Sequence, residues 1–397
     1  MKYDFKTLEP KVLEFWEKNK IYPKVKKRGE NGKPFYFLDG PPYTSGKVHI
    51  GTAWNKSIKD MVLRYKRMKG FDVWDRAGYD MHGLPTEHAT ERKLKLNGKQ
   101  DIEKFGIGKF IEECKKLCIE NMHSMSKDFW NLGVWMDFEN PYQTITDDYI
   151  DGEWWLIKKA HENNRLYEGL RTMTWCASCA TALAKHECEY QNIRDKSIFV
   201  KFPVLGEEKT YLLIWTTTPW TIPLNLAIMV GPEIEYQKCK VDDETWIVAK
   251  ELATTAIKTV AEKEFTVIET VKGTDLESMK YIHPLGKFIP HFKEMEKELP
   301  KIHSVVLSEE YVDTSSGTGL VHCAPGCGPE DYEVGIANNL PAYNVIDEHG
   351  RFPDDLKEFA GKQAKKDDDF FTKKLEEEGV LISTTDVEHD YAHCLRC

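Results

Sequence analysis

Four short patterns between residues 35 and 74 constrain the fold more than anything else in the chain. Phe35-Tyr36-Phe37-Leu38 has the apolar density of a short buried strand. It runs into a loop of helix and strand breakers, Asp39-Gly40-Pro41-Pro42-Tyr43-Thr44-Ser45-Gly46. Ile58, Met61, Val62, Tyr65 and Met68 then recur at helical spacing, and Gly70 marks a stop. Phe71-Asp72-Val73-Trp74 reads as the next strand. Strand, loop, helix and strand make a βαβ unit, whose crossover sets its two strands parallel, so an α/β fold is predicted.

The rest of the chain falls into blocks around that unit. Residues 1–33 are polar and Lys-rich, with a helical stretch around Val12, Leu13, Phe15 and Trp16, and read as an extension packed on the body. From 107 to 132 the apolar residues Ile107, Phe110, Ile111, Cys114, Leu117, Cys118, Met122, Met125, Phe129 and Leu132 keep helical spacing and read as core. Cys114 and Cys118, one turn apart on that face, are expected to be structural. Near residue 195 the texture changes. Segments 197–204, 210–217, 245–249 and 265–270 look like short strands joined by turns, followed by helices over 329–338 and 365–378. This is a mainly β insertion.

Composition narrows the function classes. Hydrophobic residues make up 41% of 397, enough for sizeable cores. The balance of 55 Lys+Arg against 65 Asp+Glu excludes a nucleic-acid binder held by bulk charge, but not one with a local basic groove. No apolar run approaches the roughly 18–20 residues of a membrane span, and residues 1–15 lack an apolar signal core. A soluble, cytoplasmic protein is expected, with no membrane partner. In that compartment the ten cysteines point to metal rather than disulfides. Cys176/Cys179 and Cys394/Cys397 are both CxxC pairs, and four thiolates suit a closed tetrahedral zinc site. The pairs are too far apart for a local ribbon; they bracket the insertion, so one ion would pin its two stalks. His186 and Cys188 are competing ligands, and two unrelated thiol pairs remain the alternative.

The chemistry concentrates in Pro41-Pro42-Tyr43-Thr44-Ser45-Gly46-Lys47-Val48-His49-Ile50-Gly51-Thr52, between a strand and a helix. Backbone N–H groups at a helix start favour anions such as a triphosphate, Gly46 and Gly51 permit close approach, and His49 can donate to a phosphoryl oxygen. This stretch resembles the HIGH signature of class I aminoacyl-tRNA synthetases, in the form seen in the isoleucine-specific branch. Thr52 stands where the signature has a second histidine. A second block, Ala77-Gly78-Tyr79-Asp80-Met81-His82-Gly83-Leu84-Pro85-Thr86-Glu87, follows the second strand, where open α/β sheets bind ligands. The resemblance implies that Pro42, Tyr43, Gly46, His49, Gly51 and Thr52 bind ATP with its Mg2+, with His49 and Thr52 catalytic. It implies that Asp80 pairs with an amino acid's ammonium group, and that Gly40 and Pro41 line the side-chain pocket. Activation of a carboxylate already ionised at pH 7 needs no general base, only positioning and charge stabilisation. No KMSKS-type lysine loop is present.

In the insertion, Trp215-Thr216-Thr217-Thr218-Pro219-Trp220-Thr221-Ile222-Pro223 ends a strand at a Pro turn. Gly317-Thr318-Gly319-Leu320-Val321-His322-Cys323-Ala324-Pro325-Gly326-Cys327-Gly328-Pro329-Glu330-Asp331-Tyr332 reads as strand, loop and helix start. Taken singly, Asp331 could be a helix cap and His322 a core histidine. Together these segments resemble the editing domain inserted into isoleucyl-, valyl- and leucyl-tRNA synthetases. By that resemblance Thr216, Thr217, Thr218 and Trp220 contact the terminal adenosine and the misattached amino acid. Asp331 anchors its ammonium, and His322 shapes the pocket and helps place water, both counted as catalytic. Cys323 and Cys327 lack an oriented base, so hydrolysis by water is expected. Such a second site is needed because one missing methylene is worth only about 1–3 kcal/mol in an apolar pocket, a limit for which the isoleucine enzymes are the standard illustration and not a result of this chain.

The expected organisation is an N-terminal extension (1–34), the first half of a Rossmann-like parallel-sheet catalytic domain (35–174), and a zinc knuckle and stalk (175–194). A mainly β editing domain (195–385) and a return stalk with the second CxxC pair (386–397) follow. The resemblance implies a monomer acting on isoleucine, ATP and tRNA(Ile), with structural Zn2+. As a portion without the KMSKS loop or the anticodon-binding domain, the chain is expected to activate isoleucine poorly. A valine-specific relative, a stand-alone deacylase and a zinc-stapled RNA-binding module are the rival readings. Pro42-Tyr43 leans toward isoleucine.

Overall fold

The computed structural model describes residues 4–395 and 397. The chain divides into two compact units, Met1–Glu168 and Gly169–Cys397.

The first unit opens with helices α1 (Phe5–Lys18) and α2 (Ile21–Gly29). Then come strand β1 (Pro34–Tyr36), helix α3 (Ile50–Met68) and strands β2 (Asp72–Trp74) and β3 (Arg76–Tyr79). Helices α4 (Leu84–Leu94), α5 (Lys99–Phe105) and α6 (Ile107–Asn131), strand β4 (Asp137–Gln143) and helix α7 (Asp147–Glu162) complete it. β1 pairs with β2 in parallel, and β3 pairs with β4 in parallel, which is the geometry the βαβ pattern predicts. Gly78 is required in β3, because a Cβ there would lie 2.1 Å from the Tyr142 ring.

One expectation is corrected, and one helix turns out differently from the common pattern. β1 is not a buried strand: Tyr36 and Leu38 are exposed, since β1 pairs only with β2 among the described residues. The apolar stripe of α3 also faces outward, with Ile58, Met61, Val62, Tyr65 and Met68 all exposed. Its buried face is Lys56, Asp60, Leu63 and Arg67. Buried charges are tolerated only when paired, and each one here is. Lys56 meets Asp39, Arg67 meets Asp75, and Asp60 accepts from Arg64 and from the Trp135 N–H at 2.5 and 2.8 Å. The N-terminal helices join this network, with Tyr22 and Lys26 donating to Asp75 at 2.6 and 3.0 Å. In α6 Phe110, Cys118, Met122, Met125 and Phe129 are buried as the periodicity requires, while Ile107, Ile111 and Leu132 are exposed. The Cys118 thiol donates to the Met81 carbonyl at 3.1 Å, a structural role.

The second unit starts with a small hairpin, β5 (Thr174–Cys176) and β6 (Thr181–Leu183). Its body holds β7 (Cys188–Pro203), β8 (Thr210–Thr216), β9 (Ala227–Val230), β10 (Glu235–Val241), β11 (Glu244–Ala249) and β12 (Thr266–Lys272). After these come α8 (Gly273–Leu276), α9 (Phe292–Glu298), β13 (Ser304–Leu307), β14 (Leu320–Cys323), α10 (Pro329–Ala337), α11 (Asp368–Glu377) and β15 (Leu381–Cys394). Six strands form one sheet in the order β12-β10-β11-β8-β7-β15, and three form another, β13-β9-β14. Between them lies one contiguous apolar core running from Ile198 to Val380. β7 and β15 outrun that core. Their pairing continues from Ser197↔Thr385 out to Cys188↔Cys394 as a two-stranded ribbon with about half of its side chains exposed.

Candidate functional site

In the first unit the loop before α3 is held by its own motif residues. His49 is the N-cap of α3, and its Nδ1 accepts from the Gly51 N–H at 3.1 Å. Thr52 answers by accepting from the His49 N–H at 2.9 Å and donating to the His49 carbonyl at 2.8 Å. This reciprocal cap satisfies donors the first turn would otherwise leave open. With Nδ1 accepting, the neutral ring carries its proton on Nε2, which leaves an exposed donor at a helix N-terminus. Gly46 has open space around it, and the nearest neighbour of Gly51 is the His49 ring.

The second block is stitched directly onto this loop. Tyr43 and Asp80 form a parallel bridge: the Asp80 N–H donates to the Pro42 carbonyl, and the Thr44 N–H to the Asp80 carbonyl, both at 2.9 Å. Asp80 is half-buried, and burial raises its carboxyl above the ordinary range, with His82 opposing. Gly40 is fixed through its carbonyl, which accepts from Lys59 at 2.8 Å. Sequence reasoning missed what anchors the loop. Asp39 is fully buried and takes both Lys56 and Lys59, while the Gly78 N–H donates to it at 3.1 Å. Burial lowers the Lys56 pKa, and Asp39 opposes that shift. Lys56 and Lys59 carry no sequence signal of this role, since lysines on a helix normally face water.

In the second unit, residues more than a hundred positions apart line one cavity of about 410 Å3. Thr216, Thr217 and Thr218 form one wall, His322 and the Gly319–Val321 segment another, and Glu330 and Asp331 a third. Asp313, Ser315 and Ser316 also border it and were not foreseen. Among the described residues no lysine or arginine lines it, so the cavity favours a cation.

Asp331 lies in the first turn of α10 without capping it; its Oδ1 accepts from the Ala324 N–H at 3.3 Å. Burial pushes its carboxyl up to about 6, against the Ala324 N–H and the Cys323 thiol. It is therefore still mainly ionised at pH 7. A Cβ on Gly328 would fall 2.2 Å from Asp331 Oδ2, so glycine there keeps the carboxylate in place. His322 is buried, and burial pushes it down to about 4, which makes it a neutral ring. Its Nε2 lies 2.9 Å from Thr221 Oγ1, and its Nδ1 3.4 Å from Asn225 Nδ2. Because Asn225 can only donate from that nitrogen, the His322 proton sits on Nε2. Thr221 accepts it and passes its own hydroxyl proton to the Thr218 carbonyl at 2.8 Å. Both ring nitrogens are thus committed to the protein, and His322 is suited to shaping the wall rather than to carrying a proton. Burial raises the thiols of Cys323 well above their ordinary value and of Cys327 to about 12, which disfavours a thiolate nucleophile.

One assignment is corrected. Trp220 does not line this cavity. The turn after Thr218 is a 3-10 helix, Pro219–Leu224, which carries Trp220 to a different hollow and brings Thr221 to His322. Thr221 and Asn225 were missed; the clue was their place in the same threonine-rich turn.

The four knuckle cysteines come together. Ligand atoms of Cys176, Cys179, Cys394 and Cys397 all lie within 4.8 Å of one another, with Cys176 and Cys397 sulfurs 3.4 Å apart and Cys179 and Cys394 sulfurs 4.0 Å apart. Four thiolates about 2.3 Å from a tetrahedral zinc stand about 3.8 Å apart, so the cluster has the right size and donor set. Cys188 donates instead to the Ala184 carbonyl, at 3.6 Å.

The profile of tRNA synthetases class I (I, L, M and V) matches residues 11–280. The chain belongs to this family. Curated relatives align along the whole chain. An isoleucine–tRNA ligase of Pyrococcus abyssi is 45% identical over 402 residues, covering 100% of this chain and 37% of that protein. One of Methanocaldococcus jannaschii is 46% identical over 405 residues, covering 99% and 39%. The chain thus spans well under half the length of the curated relatives it matches. None of its described helices is long and apolar enough to cross a membrane.

Proposed function

We propose that this synthetase chain is the N-terminal part of an isoleucine–tRNA ligase. The first unit contributes half of the activation site, and the second unit hydrolyses valyl-tRNA(Ile). The relatives' names favour isoleucine over valine. One observation carries the hydrolytic reading: Thr216, Thr217, Thr218, His322 and Asp331, chosen on the sequence, share one cation-favouring cavity. In it Asp331 holds the α-ammonium of the misattached amino acid. The threonine wall meets the terminal ribose, and the locked His322 ring limits the room for the side chain. Water adds to the ester carbonyl, the bond to the ribose oxygen breaks, and that oxygen leaves with a proton.

For activation, His49 Nε2 and the N-terminus of α3 receive ATP phosphates, with the Gly51 N–H keeping the imidazole in its tautomer and Thr52 holding the His49 backbone. Asp80 takes the isoleucine ammonium beside Gly40 and Pro41. Mg2+ arrives with ATP. The cysteine cluster holds Zn2+, which as a closed four-thiolate site supplies structure and no chemistry. Cytoplasmic residence and a monomeric state belong to the same reading.

Purified chain is incubated with valyl-tRNA(Ile) and with isoleucyl-tRNA(Ile). The expected result is release of valine and little release of isoleucine, with Asp331→Ala lowering the rate at least a hundredfold. Equal hydrolysis of both esters, or an undiminished Asp331→Ala rate, would overturn the reading.

A further inference from the structure

Both partners of the His322 ring belong to one short turn. Thr221 Oγ1, 2.9 Å from Nε2, lies inside the 3-10 turn Pro219–Leu224, and Asn225, whose amide nitrogen is 3.4 Å from Nδ1, is its C-cap. Thr218, which lines the cavity, is its N-cap. We propose that two residues outside that cavity, Asp368 and His283, clamp this turn at its two ends and act as positioning residues for the hydrolytic site. The proposal rests on the hydrolytic reading of the cavity and names what keeps its wall in register.

The turn holds itself poorly. Hydrogen bonds of 3-10 geometry are weaker than those of an α-helix, and the prolines at 219 and 223 contribute no N–H. The Thr218 side chain supplies no cap. The first N–H groups of any helical turn need acceptors from elsewhere. Here the first one available, that of Trp220, donates to Asp368 Oδ1 at 3.2 Å. Asp368 comes from the first turn of α11, far along the chain. Burial raises its carboxyl, and Lys365, 3.2 Å from Oδ2, opposes that shift and also grips Asp195 of β7. A charged acceptor makes the stronger bond to the N–H.

At the other end the Ile222 carbonyl accepts from the Asn225 N–H at 3.0 Å and from His283 Nε2 at 2.9 Å. His283 Nδ1 accepts from the Leu285 N–H at 3.1 Å, so the ring proton sits on Nε2 and points at the turn. His283 is buried, and burial holds it well below its ordinary value, which keeps the ring neutral with a single donor. An acceptor at the first N–H and a donor at the last carbonyl is the polarity that the open backbone groups of a helical turn require. Release of either end lets Thr221 slide from His322 and Thr218 from the wall. The imidazole then gains freedom, and the room it denies to the longer side chain opens.

The test compares hydrolysis of valyl-tRNA(Ile) and isoleucyl-tRNA(Ile) by the full chain and its variants. The ratio of the two rates is read, because an unfolded fraction cancels from it. Asp368→Ala is expected to lower that ratio about tenfold, the scale of a small misplacement in a site. Asp368→Asn keeps an acceptor oxygen for the Trp220 N–H and should bring the ratio back to within about threefold of the unaltered chain. His283→Leu should lower the ratio as Asp368→Ala does; should it fail to fold, the partly exposed Asp368 decides. In nitrogen–proton spectra the His322 Nε2–H should exchange with solvent about tenfold faster in Asp368→Ala and slow again in Asp368→Asn. An unaltered ratio in Asp368→Ala overturns the proposal, whatever the ring signal shows, and leaves the hydrolytic reading standing. An Asp368→Asn chain as impaired as Asp368→Ala also overturns it, because the effect then belongs to the ion pair with Lys365. If the unaltered chain hydrolyses neither ester, or Asp331→Ala keeps the full rate, both fall.

Discussion

In Met1–Glu168 the inward face of α3 carries Lys56, Asp60 and Arg67, while Ile58, Met61, Tyr65 and Met68 look outward. In Gly169–Cys397 the interior is one apolar cluster, and the carboxylates stand at the mouth of a cavity. The first arrangement makes the ligand loop depend on a few buried ion pairs, because Asp39 ties Gly78 and two lysines of α3 to the strand end. The second makes the scaffold independent of its site. The Asp331 carboxylate can be changed without leaving a buried ion unpaired, whereas Asp39 cannot.

The largest effect that would break this contrast is at Asp39. Asp39→Ala leaves Lys56 buried without its partner, which costs about 3–5 kcal/mol. The expected outcome is loss of hydrogen-exchange protection across α3 and β3, with the second unit's protection unchanged; a matching loss in the second unit would remove the distinction. Next, Gly328→Ala is expected to displace the Asp331 carboxylate and to lower hydrolysis of valyl-tRNA about a hundredfold, while the melting temperature of the second unit holds. Kinetics and calorimetry on the same sample check this.

Acid sharpens the contrast further. The Asp331 carboxyl is raised to about 6, so it gains its proton as pH falls through that value and the cavity loses its negative charge. Affinity for an ammonium-bearing ligand should be about tenfold weaker at pH 5 than at pH 7. Asp331→Asn should show weak binding with no slope. His322, pushed down to about 4, should remain a neutral Nε2–H ring over the same range, which ring-nitrogen NMR shifts report. The smallest effect is at the helix cap: Thr52→Ala removes both reciprocal bonds with His49 and should cost about 1 kcal/mol in the first unit.

The parallel pairing was legible because strand, breaker loop and helical spacing have distinct periods. The cavity was legible through the resemblance of its two segments to the synthetase editing domain; taken singly, Asp331 read equally well as a helix cap. What stayed hidden was orientation. The spacing of Ile58, Met61 and Tyr65 announces an α-helix with an apolar stripe, but not which side the protein covers. Lys56 reads as solvated until Asp39 is seen facing it. Trp220 went astray for a local reason: a 3-10 turn replaces the extended chain after Thr218 and reverses the side on which the next residues emerge. His322 was found, but its commitment on both nitrogens depends on Thr221 and Asn225, contacts no linear pattern encodes.

The ribbon formed by β7 and β15 beyond the core has a mechanical consequence. Its pairing runs nine residues from Lys196 to Cys188, about 30 Å at strand rise, with about half of its side chains exposed. Such a strip acts as a lever arm, so a bend of about 10° at its root sweeps the tip through about 5 Å. Zinc held by the four thiols gathered at that tip would tie the end of the strip to the β5–β6 hairpin. How far the arm swings is then set at its root, where Lys365 grips Asp195.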